Sequence, residues 1–184
     1  MTDQSAFAGR VVVGYDGSAT ARAAPEWAAR EARARGRGLA LVYALLPPAT
    51  TGGLGVGLPP SLDVIEALES RAADELAQAA AGMPGVDVTT QVSIGSPSAV
   101  LLAASDVADL VVVGSRGHGG FAGLLLGSVG AQVASHSRCP AIVFRGAPAP
   151  DARDVVVGVD GSEAGSAALA FAFILRVQHP RCFL

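Results

Sequence analysis

The sequence predicts an α/β domain: a five-stranded parallel sheet, doubly wound, with helices on both faces. Three observations predict it. Short β-branched runs closed by glycine, at residues 11–13 before Gly14 and 110–113 before Gly114, read as strands buried on both faces. Segments of helical spacing separate the apolar runs, so strand and helix alternate along residues 11–144. Hydrophobic residues make up 51% of 184, enough for a full core and too many for a disordered chain. Right-handed crossovers then join parallel strands. The pattern alone leaves the order open between 2-1-3-4-5 and 3-2-1-4-5. In either order the first strand borders the point where such sheets bind ligands, so the loops after Val13 and Val113 are the natural ligand loops.

The elements follow in order. After the first strand, Asp16-Gly17-Ser18 leads into an Ala-rich helix with Ser18 as N-cap, ended by Gly36 and Gly38. Pro25 lies in its second turn and predicts a kink or a late start. Residues 39–46 form a second apolar strand. Residues 47–60 are a loop rich in glycine and proline. Residues 62–81 return to helical spacing, with Leu62, Ile65, Leu68 and Leu76 on the apolar side. Residues 86–94 alternate as a half-exposed strand, with a phase slip near Thr90. Ser96-Pro97 opens the next helix with proline in the first turn. The third buried strand and a glycine-rich loop follow, then a helix at residues 128–137 and a last strand at 140–144.

One repeat stands out. Val-Val-Val-Gly-Tyr-Asp-Gly-Ser from Val11 recurs as Val-Val-Val-Gly-Val-Asp-Gly-Ser from Val155, and Trp27 falls opposite Phe171. A repeat of domain length reads as fused domains. The expected organisation is one complete α/β domain over residues 1–146, a Pro-rich linker at 147–153 and the truncated start of a second such domain at 154–184. Residues 155–159 are expected to form a strand.

Composition excludes several classes. The 13 basic residues are all arginine against 16 acidic ones, for a net charge of -3, which argues against nucleic acid as a partner. Without lysine there is no P-loop lysine, Schiff base or Ser-Lys pair. The longest apolar run, residues 167–175, is far short of the roughly 20 that span a membrane, and residues 1–10 have no apolar signal core. A cytoplasmic protein with no membrane partner is expected. Cys139 and Cys182 form no C-x-x-C pair, and reduced thiols are the simplest reading.

The strongest motif is Gly114-Ser115-Arg116-Gly117, then nine residues, then Gly127-Ser128, lying after a buried strand and before a helix. Glycines let a backbone approach phosphate oxygens, and helix-start N–H groups favour an anion. The alternative is a glycine-rich connection into a capped helix. Other candidates read more plainly. His118 and His136 fit exposed positions. Gly53-Leu54-Gly55-Val56-Gly57 lacks the spacing of a dinucleotide fingerprint and reads as a lid at most. Arg30, Arg33, Arg35 and Arg37, interleaved with Glu31, read as a solvated helix face.

On the first-strand octapeptide, the spaced glycine motif, Trp27 in Trp-Ala-Ala-Arg-Glu-Ala and the closing Ser137-Arg138-Cys139-Pro140-Ala141-Ile142-Val143, residues 9–146 resemble the universal stress protein family. The resemblance implies the order 3-2-1-4-5 and bound ATP, with or without Mg2+. It implies that Asp16 faces the adenosine and that the Ala44 backbone meets adenine. Val113, Gly114, Arg116 and Gly117 would wrap ribose and phosphates, while Gly127, Ser128 and Val129 hold phosphates at the helix start. It also implies a homodimer through the last strand, Ala141 to Phe144. Pro25 departs from the family's aliphatic residue there, and the broken second copy removes an intrachain partner.

The expected function is a nucleotide-dependent binding or regulatory module of the stress response, with little or no turnover, no catalytic residue and no resident metal. The alternatives are a slow adenine-nucleotide hydrolase and an interaction domain that binds no nucleotide. Deleting residues 147–184 is expected to raise solubility and to leave nucleotide affinity unchanged. Calorimetry on the shortened chain checks this, and lost affinity would move the site out of the first domain.

Overall fold

Val11, Val12 and Val13 are wholly buried, as a central strand covered on both faces requires. They form β1 (Val11–Gly14) in a computed structural model that describes residues 4–46, 50–51, 57–58, 61–117, 126–146 and 155–178. Around β1 stand β2 (Leu39–Leu45), β5 (Val88–Ile94), β6 (Leu110–Gly114) and β7 (Ala141–Phe144). The sheet order is β5-β2-β1-β6-β7 and every pairing is parallel. Counting the sheet's own strands, this is 3-2-1-4-5, which settles the order the pattern left open. The loop at residues 47–60 contributes a small antiparallel pair, β3 (Thr50–Thr51) and β4 (Gly57–Leu58), which the sequence does not predict.

Helices cover both faces. On one, α1 (Ala19–Ala34) packs on β1 and β6, and α2 (Leu62–Ala81) on β2 and β5. On the other, α3 (Pro97–Ser105) spans β2, β1 and β6, and α4 (Ser128–His136) packs on β6 and β7. The α3–α4 face holds a continuous core in which Val12, Val42, Val111 and Val113 meet Leu101 and Val133. Trp27 closes the far corner of the opposite face against Phe144, ring centroids 6.3 Å apart.

Local chemistry explains the element ends. Ser96 caps α3 through its hydroxyl, which accepts from the Ala99 N–H at 3.3 Å, with Pro97 in the first turn. α1 stops at Gly36, whose φ of +62° lets its N–H reach the Arg33 carbonyl and that of Arg37 the Ala32 carbonyl, at 3.0 and 2.8 Å. α1 also runs through Pro25 rather than starting after it. Ala24, Ala28, Ala29 and Ala32 pack the helix onto the sheet, and that burial offsets the hydrogen bond proline removes. The change of phase near Thr90 in the apolar pattern brings no break in the pairing: β5 pairs with β2 in step from Leu39–Val88 to Leu45–Ile94.

The arginine run is not a uniformly solvated face. Arg30 and Arg33 are exposed, but Arg35 reaches Glu31, which is fully buried, at 2.5 Å. Its other arm meets Asp109 at 3.1 Å, and Arg37 adds a second contact to Asp109 at 3.5 Å. The pairs tie the end of α1 to the entry of β6.

Gly146–Leu184 forms a second compact unit. There residues 155–160 form no strand, against expectation, and Val156 is 92% exposed. A strand exists by pairing, and among the described residues nothing pairs here. The turn of the repeat does form: Asp160 Oδ1 accepts from the Ser162 N–H at 2.9 Å, and α5 (Glu163–Gln178) follows. The linker at 147–153 and Cys182 lie outside the described residues.

Arg35→Ala removes the ion-pair partner that Glu31 has in the core at 2.5 Å. Breaking such a buried pair costs about 3–5 kcal/mol, so urea denaturation should show a stability loss of that order with an unchanged slope.

Candidate functional site

The site grows from two turns that adjacent strands bring side by side. β1 and β6 are far apart in sequence but neighbours in the sheet. At the carboxyl end of β1, the Tyr15 N–H donates to the Val42 carbonyl at 2.9 Å and holds the chain along β2 for one more residue. The chain then turns on Asp16, whose Oδ1 accepts from the Ser18 N–H at 3.0 Å. Gly17 takes a φ of +76°, a conformation that disfavours any side chain. Ser18 enters α1 with its carbonyl accepting from the Arg22 N–H at 3.2 Å, the backbone role of an N-cap.

At the carboxyl end of β6, Ser115 is buried and is used twice by the backbone. Its N–H donates to the Phe144 carbonyl and its carbonyl accepts from the Gly127 N–H, both at 2.8 Å. The second bond closes the neck of the glycine loop and sets Gly127 as the N-cap of α4. Gly127 lacks a Cβ where one would stand 3.5 Å from the Ser115 carbonyl and 3.7 Å from the Arg116 backbone. Its amide is therefore spent inside the protein. The donors offered at the helix start belong to Ser128 and Val129, since an α-helix leaves its first-turn N–H groups without intrahelical acceptors.

The two turns meet at Gly117. A Cβ there would run into the Asp16 carboxylate, so any residue but glycine would have to displace that carboxylate to pass this close. The sequence-derived residues gather in three contacts. Asp16 lies against Gly117, and Gly127 against Arg116. Val113 belongs to the core on the α3–α4 face, and Ala44 and Val129 pack against it half-buried. Gly114 ends β6 opposite Phe144, and Arg116 is exposed at the mouth. Two further residues escaped the sequence reading. Ser115 pins the loop through its backbone, which no side-chain pattern reveals. Gly130 sits in the first turn of α4, where a Cβ would stand 2.8 Å from a Leu126 methyl; its signal was the second glycine of Gly127-Ser128-Val129-Gly130. His118 and the glycines at 53 and 55 lie outside the described residues.

Among the described residues no three His, Cys, Asp or Glu side chains converge as a metal site, and no helix is long and apolar enough to cross a membrane. A nucleotide fits the donor set. Asp16 is an acceptor for hydroxyl groups, the α4 amides are donors for phosphate, and the half-buried Ala44 supplies apolar surface.

A second concavity of about 870 Å³ lies on the other face, between α1 and α2. Tyr15 and Tyr43 are among its lining residues, and it shares Asp16 with the glycine site. Burial pushes the Tyr43 phenol above its usual 10.0, and the negative charges of Glu75 and Asp16 push it further. The neutral phenol is thus the form the fold prefers.

The chain resembles known proteins throughout its first unit. The model of the universal stress protein family matches residues 8–145. A universal stress protein of Mycobacterium tuberculosis strain H37Rv is 36% identical over 180 residues, covering 89% of this chain and 58% of that protein. One from Mycolicibacterium smegmatis is 33% identical, covering 92% and 60%. The chain thus spans about three-fifths of these relatives. The universal stress protein UspA of Lactobacillus plantarum matches with a TM-score of 0.63 at 24% identity, over 76% of this chain and 99% of that one, and carries the fold. A universal stress protein crystallised in complex with cAMP matches at 0.51 and 30% identity, over 74% and 96%.

A raised phenol pKa has a stability consequence. Tyr43 contributes fully below pH 10.0, and the contribution is lost as pH rises through its folded-state value. Absorbance titration should show one phenol ionising late, and Tyr43→Phe should remove both that step and its share of alkaline destabilisation.

Proposed function

The chain belongs to the universal stress protein family, and we propose that its glycine site binds an adenine nucleotide, ATP in particular, as a regulatory signal rather than a substrate. The observation that carries this is the contact of Gly117 with the Asp16 carboxylate beside the start of α4. It juxtaposes an acceptor suited to ribose hydroxyls with amides suited to phosphate, with no lysine in the chain. The cAMP complex of a relative with 30% identity supports an adenine nucleotide as the ligand class.

In this reading the adenine lies against Ala44 and the ribose between Asp16 and Gly117. The phosphates sit on the Ser128 and Val129 amides, with the Ser128 hydroxyl as an added donor. Arg116, exposed at the mouth, offers charge to the outer phosphates. A Mg2+ ion would arrive with the nucleotide and have Asp16 as its nearest acid. Asp16 is the one acid that the sequence places in the two ligand loops, a sparse apparatus for phosphoryl transfer. Bound nucleotide would then set the state of the domain for a partner. β7, at the sheet edge with Ala141, Ile142 and Val143 half-buried, is the surface on which a second copy would pair.

Mass analysis of the small molecules released from freshly purified, denatured protein should find intact ATP. Gly117→Val should weaken ATP at least tenfold by driving a side chain onto Asp16. Ser128→Ala should weaken it about fivefold, the worth of one hydrogen bond near 1 kcal/mol. Phosphate release faster than about 1 per second would mark an ordinary enzyme instead. No heat with ATP and Mg2+ would leave an interaction domain.

A further inference from the structure

The nucleotide reading uses one side of the Asp16 turn. The other side opens into the cleft between α1 and α2, and that cleft has its own chemistry. Its volume, about 870 Å³, is that of a small-molecule site, and it begins at the carboxyl ends of β1 and β2, where α/β sheets bind ligands. We propose that it is a second binding site, one that takes a small organic cation with an apolar body.

The lining divides into two parts. Leu45, Leu68 and Ala72 give an apolar wall, and Tyr15 and Tyr43 place two phenol rings at the sheet end. Such rings attract a cation through their faces. Glu75 stands opposite, on α2, with Oε2 turned to the backbone of Gly17, where a Cβ would come within 2.7 Å of it. Asp16 and Glu26 complete three carboxylates around the cleft.

Two arginines also line it, so the sign of the field has to be decided. Arg71 pairs with Glu75 at 3.2 Å, but its side chain is 79% exposed and lies at the rim, whereas Glu75 is 30% exposed. Arg22 is exposed and turns its Nε to the Gly17 carbonyl at 3.4 Å. Tyr43 reports the balance: Glu75 and Asp16 each act on its phenol more strongly than Arg71 does. The floor is negative. An anion entering between the tyrosines would be repelled, and a cation would exchange water for two ring faces and a carboxylate. The cleft lies on the α1–α2 face, so its occupation does not require the α4 amides.

The test uses one apolar body in three charge states. The full chain is titrated calorimetrically with 3-phenylpropylammonium, 3-phenylpropanol and 3-phenylpropanoate. The ammonium should saturate one site at least tenfold more tightly than the alcohol, and the carboxylate should be weakest. Glu75→Gln should bring the ammonium to within about threefold of the alcohol while leaving the alcohol unchanged. Ser128→Ala, on the opposite face, should leave all three unchanged. The proposal is overturned if none of the three binds, if the carboxylate matches the ammonium, if the preference survives Glu75→Gln, or if Ser128→Ala removes it. None of these outcomes depends on whether ATP binds, so the two assignments stand or fall separately.

Discussion

The structure depends on one close approach: the α-carbon of Gly117 against the carboxylate of Asp16. Those residues are brought together because β1 and β6 are adjacent in the sheet although α1, β2, β3, β4, α2, β5 and α3 separate them in the chain. A Rossmann-like order reverses direction at this pair of strands, so their outgoing loops diverge to opposite faces and leave a crevice. Most such crevices would be filled by side chains. Here the residue at the crossing has none, and the carboxylate opposite it is fixed by its bond to the Ser18 amide. The charge is thus held in place before any ligand arrives, which lowers the entropic cost of recognition.

The same turn serves two neighbourhoods. Toward α4 it faces backbone amides and a loop whose neck is closed by Ser115 and Gly127. Toward α2 it faces Glu75 and Tyr43 in a cleft of opposite preference. Under the two proposals one face would take negative groups on N–H donors, and the other, lined by carboxylates, would take positive ones. Gly17 joins them, because its positive φ lets the backbone turn under Glu75 without a side chain in the way. A change in the position of α2 would reach Asp16 through two residues of backbone.

Much of this was legible in the chain. β1 and β6 are unbroken β-branched runs because both of their faces are covered, and such runs are the least ambiguous strand signal. α2 spans Leu62 to Ala81 as its helical spacing predicts, with Leu76 buried and Ile65 and Leu68 half-buried, although Leu62, expected on the apolar side, is exposed at the helix start; the Ser96-Pro97 start of α3 is written in the residues themselves. The two turns at the carboxyl ends of β1 and β6 were legible because each buried run closes on a glycine. What escaped depends on tertiary context. Pro25 sits inside a helix because packing on the sheet outweighs local propensity. Residues 155–160 read as a strand because their sequence copies β1, yet a strand needs neighbours, and the copy reproduces only the Asp160–Ser162 turn, which needs none. Arg35 looked solvated because sequence does not reveal that Glu31 beneath it is sealed in the core. The α1–α2 cleft was invisible because it is a gap between elements, and a gap has no residues of its own.

The bond between Ser115 and Gly127 has a consequence for how this domain can diversify. It ties the end of β6 directly to the N-cap of α4, so residues 118–125 can be exchanged while β6 and α4 keep their places, provided Gly117 stays. Such a clasp makes that stretch an interchangeable cassette. Paralogues could acquire new ligand preferences by rewriting a few codons between two anchored points, with the folding of the host left to β6 and α4.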